Sequence, residues 1–132
     1  MNGYLLDTVV VLRLLLAPEK LSNRAGMVLK NRDALLHYSP VNLWEVGIKM
    51  SVGGYHDLRV PDDWDSLFPE TLSDMQIQSL EIRPDDCKRV ELLPFHHRDP
   101  FDRMLLAQSL ARGLDLISPD QAFDAYGVRR IW

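Results

Sequence analysis

At 132 residues the chain has the usual size of one domain and can bury a core without disulfide or metal staples, so residues 1–132 read as a single domain. Hydrophobic residues make up 46% and charged residues 26%, a globular balance that argues against disorder. A net charge of −4 excludes the basic footprint that drives sequence-blind nucleic-acid binding, so any polyanion must be held by local basic residues and cations.

In chain order, residues 4–7 read as a short buried strand ending in an acid, Asp7, and residues 8–16 as a helix. The apolar run from Val9 is broken at Arg13, far short of the roughly 18 residues a membrane span needs. No basic segment precedes it, so neither insertion nor secretion is expected. Pro18-Glu19 opens a second helix to about residue 31, and residues 34–38 form the next strand candidate. Ser39-Pro40 is an N-cap followed by proline at the first helical position, starting a helix that runs to about Ser51 and stops near Gly53-Gly54. Residues 61–72 read as helix, 76–82 as strand by alternation, and 84–92 as a short helix carrying the single Cys87. With no second thiol, Cys87 fits a reducing cytoplasm. Asp99-Pro100 repeats the cap-plus-proline signal, and Gly113 ends that helix. Residues 114–117 are a strand, Ser118-Pro119 starts a short helix, and residues 128–132 close the chain as a strand. Strands alternating with helices imply an α/β fold with a parallel sheet, whose sites form beyond the carboxyl ends of the strands.

Four acids stand out against this frame. Asp7 follows the first strand, Asp102 sits three residues after the Asp99 cap, and Asp120 lies one turn into a helix. Each is equally well accounted for as a helix-start acid. Glu45 differs: Val41, Trp44 and Ile48 surround it at helical spacing, so it reads as an acid on an apolar stripe, with Lys49 as its alternative ion-pair partner. Asp7 and Asp120 both follow strands of one sheet and point into one crevice, and the helices begun at Ser39 and Asp99 can bring Glu45 and Asp102 to its walls. Two carboxylates about 5 Å apart repel by about 3 kcal/mol at an effective dielectric of about 20, so protons or cations must compensate. An all-oxygen site suits Mg²⁺ or Mn²⁺. With these four set aside, the remaining 15 acids balance the 15 Lys and Arg. His96-His97 lacks a partner at zinc spacing and reads as structural, and Trp44, Trp64 and Trp132 read as core or interface residues.

The motifs Tyr4-Leu5-Leu6-Asp7-Thr8, Leu43-Trp44-Glu45-Val46-Gly47-Ile48-Lys49, His97-Arg98-Asp99-Pro100-Phe101-Asp102-Arg103-Met104-Leu105-Leu106-Ala107-Gln108 and Leu116-Ile117-Ser118-Pro119-Asp120 with Phe123 follow one another over the whole chain. In that order the sequence resembles the PIN-domain family, and within it the VapC-type toxins of bacterial toxin–antitoxin systems. The resemblance implies a PIN-like three-layer sandwich, with a central mostly parallel sheet flanked by helices. It also implies a metal-dependent endoribonuclease leaving 5′-phosphate and 3′-hydroxyl ends. Asp7, Glu45, Asp102 and Asp120 take the places of the family's acidic tetrad, with Asp99 a second candidate for the third place. Its partners would be a VapB-like antitoxin, an RNA substrate and a second copy of the toxin. Many relatives carry a histidine and an aromatic after the opening Asp-Thr, where this chain has Val9 and Arg13, a departure that bears on substrate preference.

The chemistry expected is hydrolysis by a metal-activated water, with no protein nucleophile. Lys49, Arg98 and Arg103 flank the acids and are the candidate phosphate contacts, each also explicable as a surface ion-pair partner. Two rivals remain at this point. One is a phosphatase with Asp7 as nucleophile, which would want a second acid where Val9 stands. The other is a binding module whose acidic pocket receives a basic side chain.

Overall fold

The computed structural model describes residues 3–132, so the first two residues of the expected domain lie outside it. Five strands form one sheet in the order β3-β2-β1-β4-β5, with every neighbouring pair parallel: β1 (Gly3–Leu6), β2 (Leu35–Tyr38), β3 (Gln78–Ser79), β4 (Asp115–Ile117) and β5 (Arg130–Ile131). Six α-helices lie among the described residues: α1 (Thr8–Leu16), α2 (Asn23–Lys30), α3 (Pro40–Ser51), α4 (Trp64–Asp74), α5 (Pro84–Leu92) and α6 (Pro100–Arg112). None is long and apolar enough to cross a membrane.

The alternation of β1 sorts the core into two layers, because successive strand side chains point to opposite faces. Tyr4 and Leu6 pack with Val10 and Val11 of α1, Ala25 of α2 and Leu72 of α4, whereas Leu5 packs with Leu105 and Leu106 of α6, together with Leu116 and Phe123. A third cluster of Leu12, Val46 and Phe68 ties α1, α3 and α4 together beside the sheet. The chain builds outward from β1 through β2 to β3, then returns to lay β4 on the other side of β1. The order therefore reverses between β1 and β4, where ligands gather in open parallel sheets.

Several element boundaries differ from the sequence reading for local reasons. The expected helix over residues 18–31 is a 3₁₀ turn, Pro18–Lys20, followed by α2, because Ser22 restarts the helix by accepting the Ala25 N–H. The strand expected over residues 76–82 shrinks to two residues: Gln76 has φ 60°, in the left-handed region, and interrupts the extended chain. Helix α4 begins at Trp64 and runs through Pro69 to Asp74. Ser118 caps no helix; instead Asp120 caps a 3₁₀ segment, Gln121–Tyr126, by accepting the Ala122 N–H.

Candidate active site

Asp7 leaves β1 at the reversal point and is the N-cap of α1. Its Oδ1 accepts the Thr8 N–H at 2.7 Å and its Oδ2 accepts the Ser118 hydroxyl at 2.6 Å. Burial raises its pKa above the ordinary carboxylate value, against the lowering effect of those two hydrogen bonds, while Asp120 and Asp99 raise it further. Ser118 is itself fully buried and accepts the backbone N–H of Asp120 at 3.0 Å. One hydroxyl thus joins the acid after β1 to the segment after β4. Sequence reading had assigned that hydroxyl to a helix start, since its true partner lies 111 residues away.

Glu45 reaches the same crevice from α3, which is locked to β1 by an asparagine that sequence reading missed. Asn42 is fully buried, donates to the Leu6 carbonyl (3.2 Å) and the Thr8 hydroxyl (2.9 Å), and accepts the Ser39 N–H (2.7 Å) in a capping box. The available signal was an asparagine three residues after Ser39, where such boxes form. Glu45 sits one turn further on. Of the three apolar neighbours expected to bury it, only Val41 is in the core; Trp44 and Ile48 are 61% and 48% exposed. The acid therefore lies at the boundary between the packed face of α3 and an outward apolar stripe. Its Oε1 is nevertheless shielded from water and has no hydrogen-bond partner. Burial raises its pKa, Thr8 opposes that shift, and Asp7 and Asp99 add to it. Lys49 does not form the alternative ion pair; its ammonium lies 5.8 Å from the Tyr55 ring centroid.

Helix α6 brings the third wall. Asp99 is its N-cap, accepting the N–H groups of Phe101 (2.8 Å) and Asp102 (3.3 Å). Asp102, in the first turn, is buried, and its carboxyl is pushed up to about 8, first by burial and then by Asp7, Asp99, Glu45 and Asp120 in turn. That list of repelling neighbours brings all five acids into one field. Asp120 completes it, with its side chain 43% exposed at the mouth. The crevice has a volume of about 320 Å³ and is lined by Asp7, Thr8, Glu45, Tyr55, Asp102 and Asp120, with Arg13 at its rim. A larger concavity of about 1060 Å³ beside β2 and β3 contains none of the five acids.

The candidate phosphate contacts separate. Lys49 and Arg98 are exposed, but Arg103 is buried and its guanidinium donates to the carbonyls of Pro94, His97, Val90 and Leu93 while lying 4.3 Å from the Phe95 ring centroid. Its position in α6 faces the end of α5, not the crevice, and it closes the carbonyl end of that helix. His97, expected to be structural, instead stands in the site, with Nε2 2.8 Å from Asp102 Oδ2 and 3.5 Å from Asp120 Oδ2. Spacing along the chain could not find this, because its neighbours come from α6 and from beyond β4. His96 packs edge-on against Tyr126.

The residues fit a divalent cation. The carboxylates offer hard oxygen donors, Glu45 Oε1 is buried without a partner, and carboxylate oxygens of Asp102 and Asp120 lie within 4.8 Å of one another. Fold and site together define a parallel α/β protein with an acid-lined crevice at the reversal of its strand order. The PIN domain family profile matches residues 4–128, and the chain belongs to that family. No match was found among curated protein sequences. Solved structures share the fold at low identity. VapBC2 from Rickettsia felis, bound to a DNA fragment from their promoter, aligns with a TM-score of 0.67 and 11% identity over 97% of this chain and 96% of that one. VapBC-5 from Mycobacterium tuberculosis, of the VapBC family of toxin–antitoxin systems, gives 0.59 and 19% over 95% and 90%. FitAcB from Neisseria gonorrhoeae gives 0.58 and 16% over 96% and 95%.

Proposed function

We propose that this single-domain protein is a metal-dependent endoribonuclease and the toxin of a toxin–antitoxin pair, using Mg²⁺ or Mn²⁺ to hydrolyse RNA in the cytoplasm. The observation that carries the reading is the field at Asp102, where burial and four neighbouring acids hold the carboxyl at about 8. A cluster this unfavourable when ionised is stabilised by a cation placed among its members.

Asp7, Glu45, Asp102 and Asp120 would hold the metal, with Asp99 at the margin. When bound, such an ion would supply an acidified water and compensation for charge on the scissile phosphate. Asp7 is fixed by Ser118 and the Thr8 N–H, leaving lone pairs on both oxygens. Asn42 sets α3 against β1 and so places Glu45. Arg13 lines the crevice and, with the exposed Lys49 and Arg98, is a candidate contact for a phosphate chain; Arg103 is committed to backbone carbonyls and is left out. Asp7 has no acid two residues on, where Val9 stands. That disfavours the phosphatase rival.

The likeness to VapBC and FitAcB complexes supports a VapB-like antitoxin as partner. The outward stripe of Trp44 and Ile48 on α3, continued by its C-cap Val52, supports a homodimer. The test uses purified protein and a mixed RNA substrate. Cleavage is expected with Mg²⁺ or Mn²⁺, and is expected to disappear with EDTA and in Asp7→Asn. Cleavage that survives both treatments would overturn the proposal, whereas tight binding of a partner without cleavage of any RNA would favour the binding-module rival.

A further inference from the structure

The loop between α5 and α6 delivers an imidazole to the carboxylates, and the proposed hydrolysis assigns it no task. We propose that His97 is a positioning residue that draws Asp102 and Asp120 together by sharing its Nε2–H between them, acting as a hydrogen-bond donor and not as a metal ligand. The inference rests on the reading of these acids as a metal centre.

The tautomer follows from the other ring nitrogen. Nδ1 lies 3.3 Å from the backbone N–H of Asp99 and accepts from it. A nitrogen that accepts must keep its lone pair, so in the neutral ring the proton sits on Nε2. Nε2 is shielded from solvent, 2.8 Å from Asp102 Oδ2 and 3.5 Å from Asp120 Oδ2, and neither contact lies along the N–H direction. The Nε2–H completes no hydrogen bond in this arrangement, and the two carboxylate oxygens are the acceptors that lie within reach of it. Coordination through Nε2 would move the proton to Nδ1 and set it against the Asp99 N–H, donor facing donor.

The ring is held where it is. The His97 N–H donates to the Tyr126 hydroxyl at 2.6 Å, that hydroxyl donates to the Pro94 carbonyl at 2.9 Å, and Arg103 Nη1 donates to the His97 carbonyl at 3.3 Å. Phe123 packs against the imidazole at 5.9 Å between centroids. A donor held beside two mutually repelling carboxylates would offset their repulsion before any cation arrives. Hydrogen bonds to metal-ligating groups of this kind typically tune affinity by about 10–100-fold.

The test uses the full chain and Mn²⁺ alone as probe. Nitrogen-15 spectra of the metal-free protein, recorded above the imidazole titration range, should show the Nε2–H tautomer at His97. His97→Ala should bind Mn²⁺ about 10–100-fold more weakly by electron paramagnetic resonance titration, and His97→Gln, which keeps an N–H donor, should recover much of the loss. An Nδ1–H tautomer, nitrogen hyperfine coupling from the imidazole to bound Mn²⁺, or unchanged affinity in His97→Ala would each overturn the clamp. Wild-type protein that fails to bind Mn²⁺ would overturn the metal reading instead, and the tautomer measured without metal then decides the clamp by itself.

Discussion

Asp102 binds a proton in the folded chain at pH values where the unfolded chain has already released it, because its pKa rises from 3.8 to about 8. The sign follows from linkage: its stability contribution is fully present below about pH 4 and is lost as pH rises through about 8. Burial shifts Asp7 and Glu45 in the same direction. Thermal unfolding of the metal-free protein should therefore show a falling Tm across that window. Asp102→Asn should flatten the fall, gaining on the order of 2 kcal/mol at the alkaline end, or roughly 5–10 °C, after allowing for solvent screening. Saturating Mn²⁺ should flatten it in the wild type as well; a Tm independent of both pH and Mn²⁺ would contradict the electrostatic account. At this scale Asp7, Glu45 and Asp102 were placed by local signals, a strand end and two cap-plus-proline starts, whereas the same signal at Ser118-Pro119 misplaced Asp120, which is itself the cap. Their supports were not legible. The partner of Ser118 lies at the far end of the chain, and His97 meets acids that only tertiary structure brings near. The apolar surroundings of Glu45 were misjudged because helical spacing shows which residues share a face, not which way that face turns.

At the scale of elements, α6 shows how a segment can be legible by its ends and opaque in its middle. Asp99-Pro100 and Gly113, which adopts φ 63°, mark its limits. Between them Asp102, Arg103, Leu105, Leu106, Ala107, Gln108 and Ser109 are all buried, so polar residues interrupt any apolar stripe. Arg103 explains part of this, since it serves as the C-terminal cap of α5 from another helix. Arg103→Ala would take their side-chain donor from the Leu93 and His97 carbonyls and leave Val90 and Pro94 with one donor each, and a loss of about 3 kcal/mol is expected in urea unfolding. Arg103→Lys should recover little, because one ammonium cannot reproduce a planar fork spread over four acceptors. Full recovery by lysine would show that charge alone matters there. Beside it, the bidentate Arg112–Asp86 pair, at 2.7 and 3.0 Å, joins the same two helices. The short β3 was overextended because alternation at a sheet edge persists where pairing has ended.

For the whole molecule, the parallel sheet and its helical layers could be read from the alternation of elements, but the strand order could not, because nothing local tells β4 to lie beside β1. The surface of α3 is the other global feature: Trp44, Ile48 and Val52 repeat at intervals of four and stay exposed, Val52 by 77%. An apolar stripe of this kind is where the proposed homodimer would be sealed. Ile48→Asp should convert the expected homodimer to a monomer in light scattering while leaving the circular dichroism spectrum unchanged. A wild-type monomer at high concentration would remove the argument. The placement of β1 at the centre also bears on the timing of synthesis. A chain that has emerged only as far as Gly113 already contains Asp7, Glu45 and Asp102, but lacks β4, Ser118 and Asp120. At about 5–20 residues per second, the first and last acids of the crevice emerge roughly 6–20 s apart. A ribosome translating this protein would therefore handle an incomplete crevice until Asp120 has emerged, which delays the onset of any nuclease activity beside its own message.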